Sequence, residues 1–129
     1  MANCIRTAAV LLLALAPLCG DEWVAPATAS AVANPLTASP ATLDTGKEVY
    51  GKNCLICHGA AGQGDGPGAA YLNPKPAQLS ASKIQQQSDG ALFWKISTGR
   101  GLMLGWAAAI KEDERWALVN FLRTFAAKP

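Results

Sequence analysis

The chain has 129 residues, is 50% apolar and 16% charged, and carries a formal net charge of +2 with four cysteines and one histidine. That length suits one domain, too short for a dinucleotide-binding domain joined to a substrate domain, and the lack of a Lys/Arg run leaves no basic footprint for nucleic acid. A lone histidine excludes a multi-histidine zinc centre, and sparse aromatics with few alternating runs argue against a β-sandwich.

The composition is uneven along the chain. Residues 1–42 hold 26 apolar and 3 charged residues, whereas the 87 residues from 43 to 129 hold 39 and 17, close to ordinary globular usage. A domain of that size has a marginal core and often relies on a staple, metal or cofactor. Within residues 1–20, Arg6 precedes an apolar run from Ala8 to Leu18. The run matches the apolar region of a signal peptide, since a membrane span needs about 20 residues. It predicts a leader over 1–20 and an exported protein, in a bacterium a periplasmic one.

Ala-x-Ala triplets at Ala25–Ala27, Ala29–Ala31 and Ala31–Ala33 offer processing sites. Cys19 offers a lipid attachment point and so a membrane tether, although Leu18 stands where Gly, Ala or Ser normally precedes a lipid-bearing cysteine. Either route leaves Cys4 and Cys19 outside the folded domain. Residues 21–42 are rich in Ala, Pro, Ser and Thr, with Pro26, Pro35 and Pro40 as helix interruptions. They predict a flexible linker outside the fold, and the domain itself spans 43–129.

Thr45-Gly-Lys-Glu48 matches a capping box and predicts a helix start near Thr45, with Asp44 as an alternative cap. Gly46, Val49, Tyr50, Asn53 and Cys54 then share one face. Five glycines and three prolines between Gly59 and Pro76 predict irregular chain. Ser88 is the expected N-cap of a short helix presenting Leu92, Phe93 and Ile96 and closed by Gly99. A final helix over 112–126 presents Leu118, Phe121, Leu122 and Phe125, with Glu112, Asp113 and Glu114 at its positive end. The charges from Lys111 to Arg115 read as a solvated helix start without a functional role. The fold class is all-α: three or more helices joined by long loops around a small core.

Cys54-Leu-Ile-Cys57-His58 carries the chemistry. Two thiols one helical turn apart reach the same edge of a planar macrocycle, where each can add across a haem vinyl group to form a thioether. The histidine directly after them then lies beneath the ring with an imidazole nitrogen for iron. At this chain's residue frequencies the pattern arises by chance with a probability of roughly 0.001. A thioredoxin-like pair would need a βαβ context, and a zinc site would have only three ligands here. The residues therefore predict one haem c, covalently bound through two thioethers.

A sixth ligand must come from elsewhere, because the only histidine is already used. Met103 is the only methionine besides Met1 and lies in the Gly-rich stretch Gly99-Arg-Gly-Leu-Met103-Leu-Gly105. Its thioether favours ferrous iron and raises the potential of a His/Met haem. The competing reading is a core-filling methionine, which would leave the distal position open for a small gas.

With these residues the chain resembles class I c-type cytochromes across 43–129. Gly46 and Tyr50, eight and four residues before Cys54, match that family's N-terminal helix, and Leu118 and Phe121 match the positions that pack across it. The stretch from Gly64-Asp-Gly-Pro67 to Leu72-Asn-Pro74-Lys-Pro76-Ala-Gln-Leu79 is similar to a subgroup of monohaem carriers, haem subunits and haem domains of respiratory complexes and dehydrogenases. The resemblance implies a small cytochrome c fold wrapped around the haem. It also implies that a proline carbonyl, from Pro74 or Pro76, accepts the Nδ1–H of His58.

The chain departs from the subgroup in the distal loop. Met103-Leu-Gly-Trp106 replaces Met-Pro-x-Trp, which removes a backbone restraint and predicts easier displacement of Met103 by alkali or an added ligand. The expected function is one-electron transfer between redox partner proteins, with no enzymatic turnover of its own. The alternatives are a haem subunit of a larger respiratory or dehydrogenase complex and a haem gas sensor. Lys75, Lys95 and Arg100 flank the expected haem loops and either steer an acidic partner or are ordinary solvated charges.

Overall fold

The computed structural model describes residues 22–126, so the expectations for the leader, Cys4 and Cys19 lie outside the described residues. Among the described residues six α-helices follow in order: α1 Ala27–Ser30, α2 Pro40–Asn53, α3 Leu55–His58, α4 Ser82–Gln85, α5 Asp89–Thr98 and α6 Glu112–Arg123. A 3₁₀ turn, Ala69–Tyr71, interrupts the loop between α3 and α4. Among the described residues there is no strand, only an isolated bridge between Arg100 and Met103. The all-α expectation agrees with this architecture.

Helix α2 starts earlier than the capping pattern at Thr45 suggests. Ser39 Oγ accepts the Thr42 N–H at 3.2 Å, and Thr42 Oγ1 accepts the Ser39 N–H at 2.9 Å. Pro40 occupies the first helical position, where its missing N–H costs nothing. Thr45 instead lies inside the helix and donates its hydroxyl to the Ala41 carbonyl at 3.1 Å. Glu48 pairs with Lys52 on the exposed face at 2.5 Å. The Thr-x-x-Glu pattern was thus formed by two solvent-side residues with other partners.

Helices α2 and α6 cross closely. A Cβ on Gly46 would collide with the Ala117 carbonyl and lie 2.7 Å from the Phe121 Cβ, so only glycine permits this approach. Tyr50, one turn on, packs between Phe121 and Phe125 with ring centroids at 5.4 and 5.1 Å. Val49, Leu92, Ile96, Leu118, Val119 and Leu122 fill the core beneath this crossing.

Helix α5 agrees with its expected limits. Ser88 Oγ accepts the Ala91 N–H at 3.2 Å, and Gly99 leaves the helix at φ 66°. Helix α6 begins as expected, with a Glu114 carboxylate oxygen accepting the Lys111 N–H at 3.2 Å. It ends at Arg123, before the expected 126, yet Phe125 still reaches Tyr50 from the turn beyond.

The stretch expected to be a linker is part of the fold. Residues 22–39 form a strap across α5 and α6, with Ala25 buried and Trp23 against Trp94 at 6.4 Å. Ser88 Oγ donates to the Ser30 carbonyl at 2.7 Å. Asn34 Nδ2 donates to Asn120 Oδ1 at 2.9 Å, and Asn120 Nδ2 donates to the Leu36 carbonyl at 3.1 Å. These anchors are largely backbone carbonyls, which any residue supplies and prolines do not prevent. Composition therefore leaves no trace of the docking. Among the described residues no helix is long and apolar enough to cross a membrane.

Candidate functional site

The end of α2 leads directly into the site. Cys54 N–H closes α2 on the Tyr50 carbonyl at 2.9 Å, and the Cys54 carbonyl accepts from Cys57 and His58 at 3.1 and 2.9 Å. This turn places the two cysteines one helical turn apart with both thiols unpaired and half-buried. Burial, then the neighbouring Cys57, pushes the Cys54 thiol up to about 12. A redox-active cysteine needs the opposite, a stabilised thiolate, which burial at Cys54 disfavours.

His58 is held from behind. Its Nδ1 lies 3.0 Å from the Ala77 carbonyl, which can only accept, so Nδ1 carries the proton and Nε2 keeps its lone pair. Burial lowers the imidazole below the usual histidine range, partly offset by that carbonyl. The acceptor is neither Pro74 nor Pro76, the two expected from resemblance. The Pro76 carbonyl faces Gly64, where an added Cβ would strike it, and the carbonyl of the next residue, Ala77, is the one that reaches His58.

The Gly-rich loop is bonded along the motif. The N–H groups of Gly64, Gly66 and Gly68 donate to the carbonyls of His58, Cys57 and Ile56 at 2.8, 3.1 and 2.8 Å. The Tyr50 hydroxyl donates to the Gly59 carbonyl at 2.6 Å, and its desolvation raises its pKa. Lys75 Nζ donates to the Ala69 and Ala70 carbonyls at 2.8 and 3.2 Å, closing the 3₁₀ turn.

Met103 sits on a hairpin after α5, half-buried at the edge of the core. Arg100 and Met103 exchange backbone bonds of 2.9 and 3.0 Å, and Trp106 N–H donates to the Ile96 carbonyl at 3.0 Å. Gly99 has positive φ, and a Cβ there would collide with the Gly105 amide. Leu102 and Leu104 beside Met103 are exposed.

The flanking cations are largely tied into the fold. Besides the Lys75 bonds, Lys95 Nζ donates to Gln87 Oε1 at 2.5 Å and lies 5.4 Å from the Trp23 ring centroid. Arg115, read from sequence as part of a solvated helix start, is buried. It donates from Nε to the Ile110 carbonyl at 3.1 Å and from Nη1 to Ser97 Oγ. Its spacing was the missed signal, since Arg115, Leu118 and Leu122 fall on one helix face.

The donor set fits a covalently attached haem. Two unpaired thiols, an imidazole with Nε2 left for iron and a thioether on the hairpin after α5 are the donor types the chemistry requires. Leu55, Leu79, Phe93, Met103 and Trp106 are half-buried against the core, apolar surface that a macrocycle can cover. Among the described residues no group of three or more His, Cys, Asp or Glu side chains could hold a metal ion.

Comparison with known proteins agrees. Residues 41–122 match the family model described as cytochrome c oxidase, cbb3-type, subunit III. The chloroplastic cytochrome c6 of Chlamydomonas reinhardtii is 26% identical over 91 residues, covering 67% of this chain and 56% of that protein. The cytochrome c6 of Euglena viridis is 28% identical over 90 residues, covering 66% of this chain and 94% of that protein.

Among solved structures, a chain of the Kuenenia stuttgartiensis reducing HAO-like protein complex Kustc0457/Kustc0458 superposes with a TM-score of 0.66 at 28% identity, covering 72% of this chain and 47% of that one. The KustC0563 c-type cytochrome superposes with a TM-score of 0.55 at 25% identity, covering 64% of this chain and 98% of that one. This chain therefore spans about half the length of the first relative in each comparison. The matched region and the helical fold carrying the Cys-x-x-Cys-His turn place the chain in the cbb3-type subunit III family of cytochromes, as a small all-α, class I monohaem c-type cytochrome with covalently bound haem c.

Proposed function

We propose that this chain passes single electrons through one haem joined to Cys54 and Cys57, whose iron His58 Nε2 and Met103 Sδ would hold. The observation that carries the reading is the His58 Nδ1 contact with the Ala77 carbonyl at 3.0 Å, directly behind two unpaired thiols. When bound, the haem supplies a ferric/ferrous couple that exchanges one electron without making or breaking a bond in a substrate. The Ala77 carbonyl fixes the tautomer and orientation of the His58 ring, and the loop bonds to Ile56, Cys57 and His58 keep that turn rigid. Met103, a soft ligand, favours the reduced state.

The apolar run in residues 1–20 supports an exported carrier, periplasmic in a bacterium, with redox proteins as donor and acceptor. A second reading, a haem subunit permanently bound in a larger complex, is favoured by the family's description as an oxidase subunit and by the neighbour from a HAO-like complex. Gel filtration separates the two: a monomer supports the carrier, and co-purification with a partner at high salt supports the subunit. The intact mass of protein from its native host tests the attachment. One haem added to a leader-shortened chain, and lost in the C54S/C57S double variant, is expected, and the same mass reports any lipid on Cys19. A chain mass without haem contradicts the proposal.

A further inference from the structure

We infer that Arg115 is a positioning residue for Met103: its guanidinium staples the neck of the loop that carries the ligand, and so sets how easily Met103 leaves the iron. The inference rests on the proposed role of Met103 as a ligand that would hold the iron.

Arg115 is a buried cation without a carboxylate partner among the described residues, whereas the other arginine on α6, Arg123, pairs with Asp89 at 2.6 Å. A buried, unpaired charge is costly unless directed bonds compensate it. Here the bonds run to two points that bracket the Met103 loop. Ser97, in the last turn of α5, enters the loop, and Ile110, just before α6, leaves it. Ser97 Oγ donates its own proton to the Phe93 carbonyl at 2.7 Å, so its oxygen is free to accept from Arg115.

Two further features favour the charge at this place, and a third ties it to the loop neck. The guanidinium carbon lies 4.7 Å from the Phe93 ring centroid, and that ring stacks on Trp116 with centroids 3.8 Å apart. A cation beside the last turn of α5 also complements the negative end of that helix. Backbone bonds from Trp106 to Ile96 and from Ala107 to Ser97, at 3.0 and 3.2 Å, draw the same two chain segments together. Arg115 is the side chain that joins their outer ends, and its removal leaves the Ile110 carbonyl without that donor.

Arg123 supplies the control. It bonds Asp89 and the carbonyls of Gln85 and Gln87, at the opposite end of α5 from the Met103 loop. The test uses ferric holoprotein of wild type, R115M, R115K, S97A and R123M. Imidazole titration reports displacement of Met103, the weak long-wavelength thioether-to-iron band reports the bond itself, and thermal melts report global stability.

R115M is expected to raise the apparent imidazole affinity about ten-fold and to weaken the thioether band, the scale of a lost charged hydrogen bond. R115K recovers part of the change, because one ammonium cannot reproduce the two-pronged reach. R123M lowers the melting temperature but keeps the imidazole affinity within about two-fold of wild type. If R115M does not mature, S97A carries the test with an expected rise of about three-fold. R115M or S97A matching wild type, or R123M shifting affinity equally, overturns the positioning role alone. A wild-type spectrum without the thioether band overturns the ligand reading and this inference with it.

Discussion

The two loops that bring ligands to the proposed haem are anchored differently. The loop behind His58 is bonded to its helix residue by residue, with three glycine N–H groups on the carbonyls of Ile56, Cys57 and His58 and the Ala77 carbonyl on the ring itself. The loop that carries Met103 is a hairpin with exposed leucines on either side of the methionine, bonded to itself by the Arg100–Met103 backbone pair and to α5 at its neck. Bonding to a helix residue by residue restrains a ligand locally, whereas a hairpin bonded to itself and held at its neck moves as a unit. With Met103 as the proposed ligand, exchange is expected on the methionine side.

The largest effect comes from breaking what both loops share. Gly46→Val drives a side chain into the Ala117 carbonyl at the α2–α6 crossing. It should cost about 3 kcal/mol or more and disturb both ligand spectra together, as followed by denaturant unfolding with absorbance detection. Gly99→Ala should separate the loops. It strains a positive-φ residue against Gly105 and should cost about 1–3 kcal/mol. The thioether band should fade while histidine ligation persists, and equal loss on both sides would break the contrast.

Asn120→Ala leaves both loops intact but removes the amide that binds Asn34 and Leu36. A loss of about 1–2 kcal/mol in thermal or chemical unfolding, with an unchanged ferric spectrum, is expected. Ala77→Ser should do least, within about 0.5 kcal/mol and without a spectral change, because Ala77 acts through its backbone carbonyl. A clear spectral shift in that variant would show that its side chain matters as well.

The chemistry was far more readable than the packing that supports it. Cys54, Cys57 and His58 announce themselves because their chemistry demands those side chains at that spacing. The α5 limits were readable for a similar reason, as Ser88 and Gly99 do jobs few residues do. The acceptor for His58 was missed because a carbonyl carries no side-chain signature, and the choice among Pro74, Pro76 and Ala77 depends on which way each peptide points. The strap was missed on the same ground, since Ser30 and Leu36 also contribute carbonyls. Its signal lay at a distance, in Asn120 within the apolar face of α6. Arg115 was hidden by the acidic residues before it, which made a core cation look like part of a solvated helix start.

The ferric absorption spectrum of holoprotein, recorded for wild type and for Met103→Ala, tests the central claim most directly. The account predicts the weak long-wavelength thioether band in wild type. In Met103→Ala the band disappears, and a coordination position opens that binds added imidazole while His58 stays in place. A wild-type spectrum without the band, or a band that survives in Met103→Ala, would contradict it.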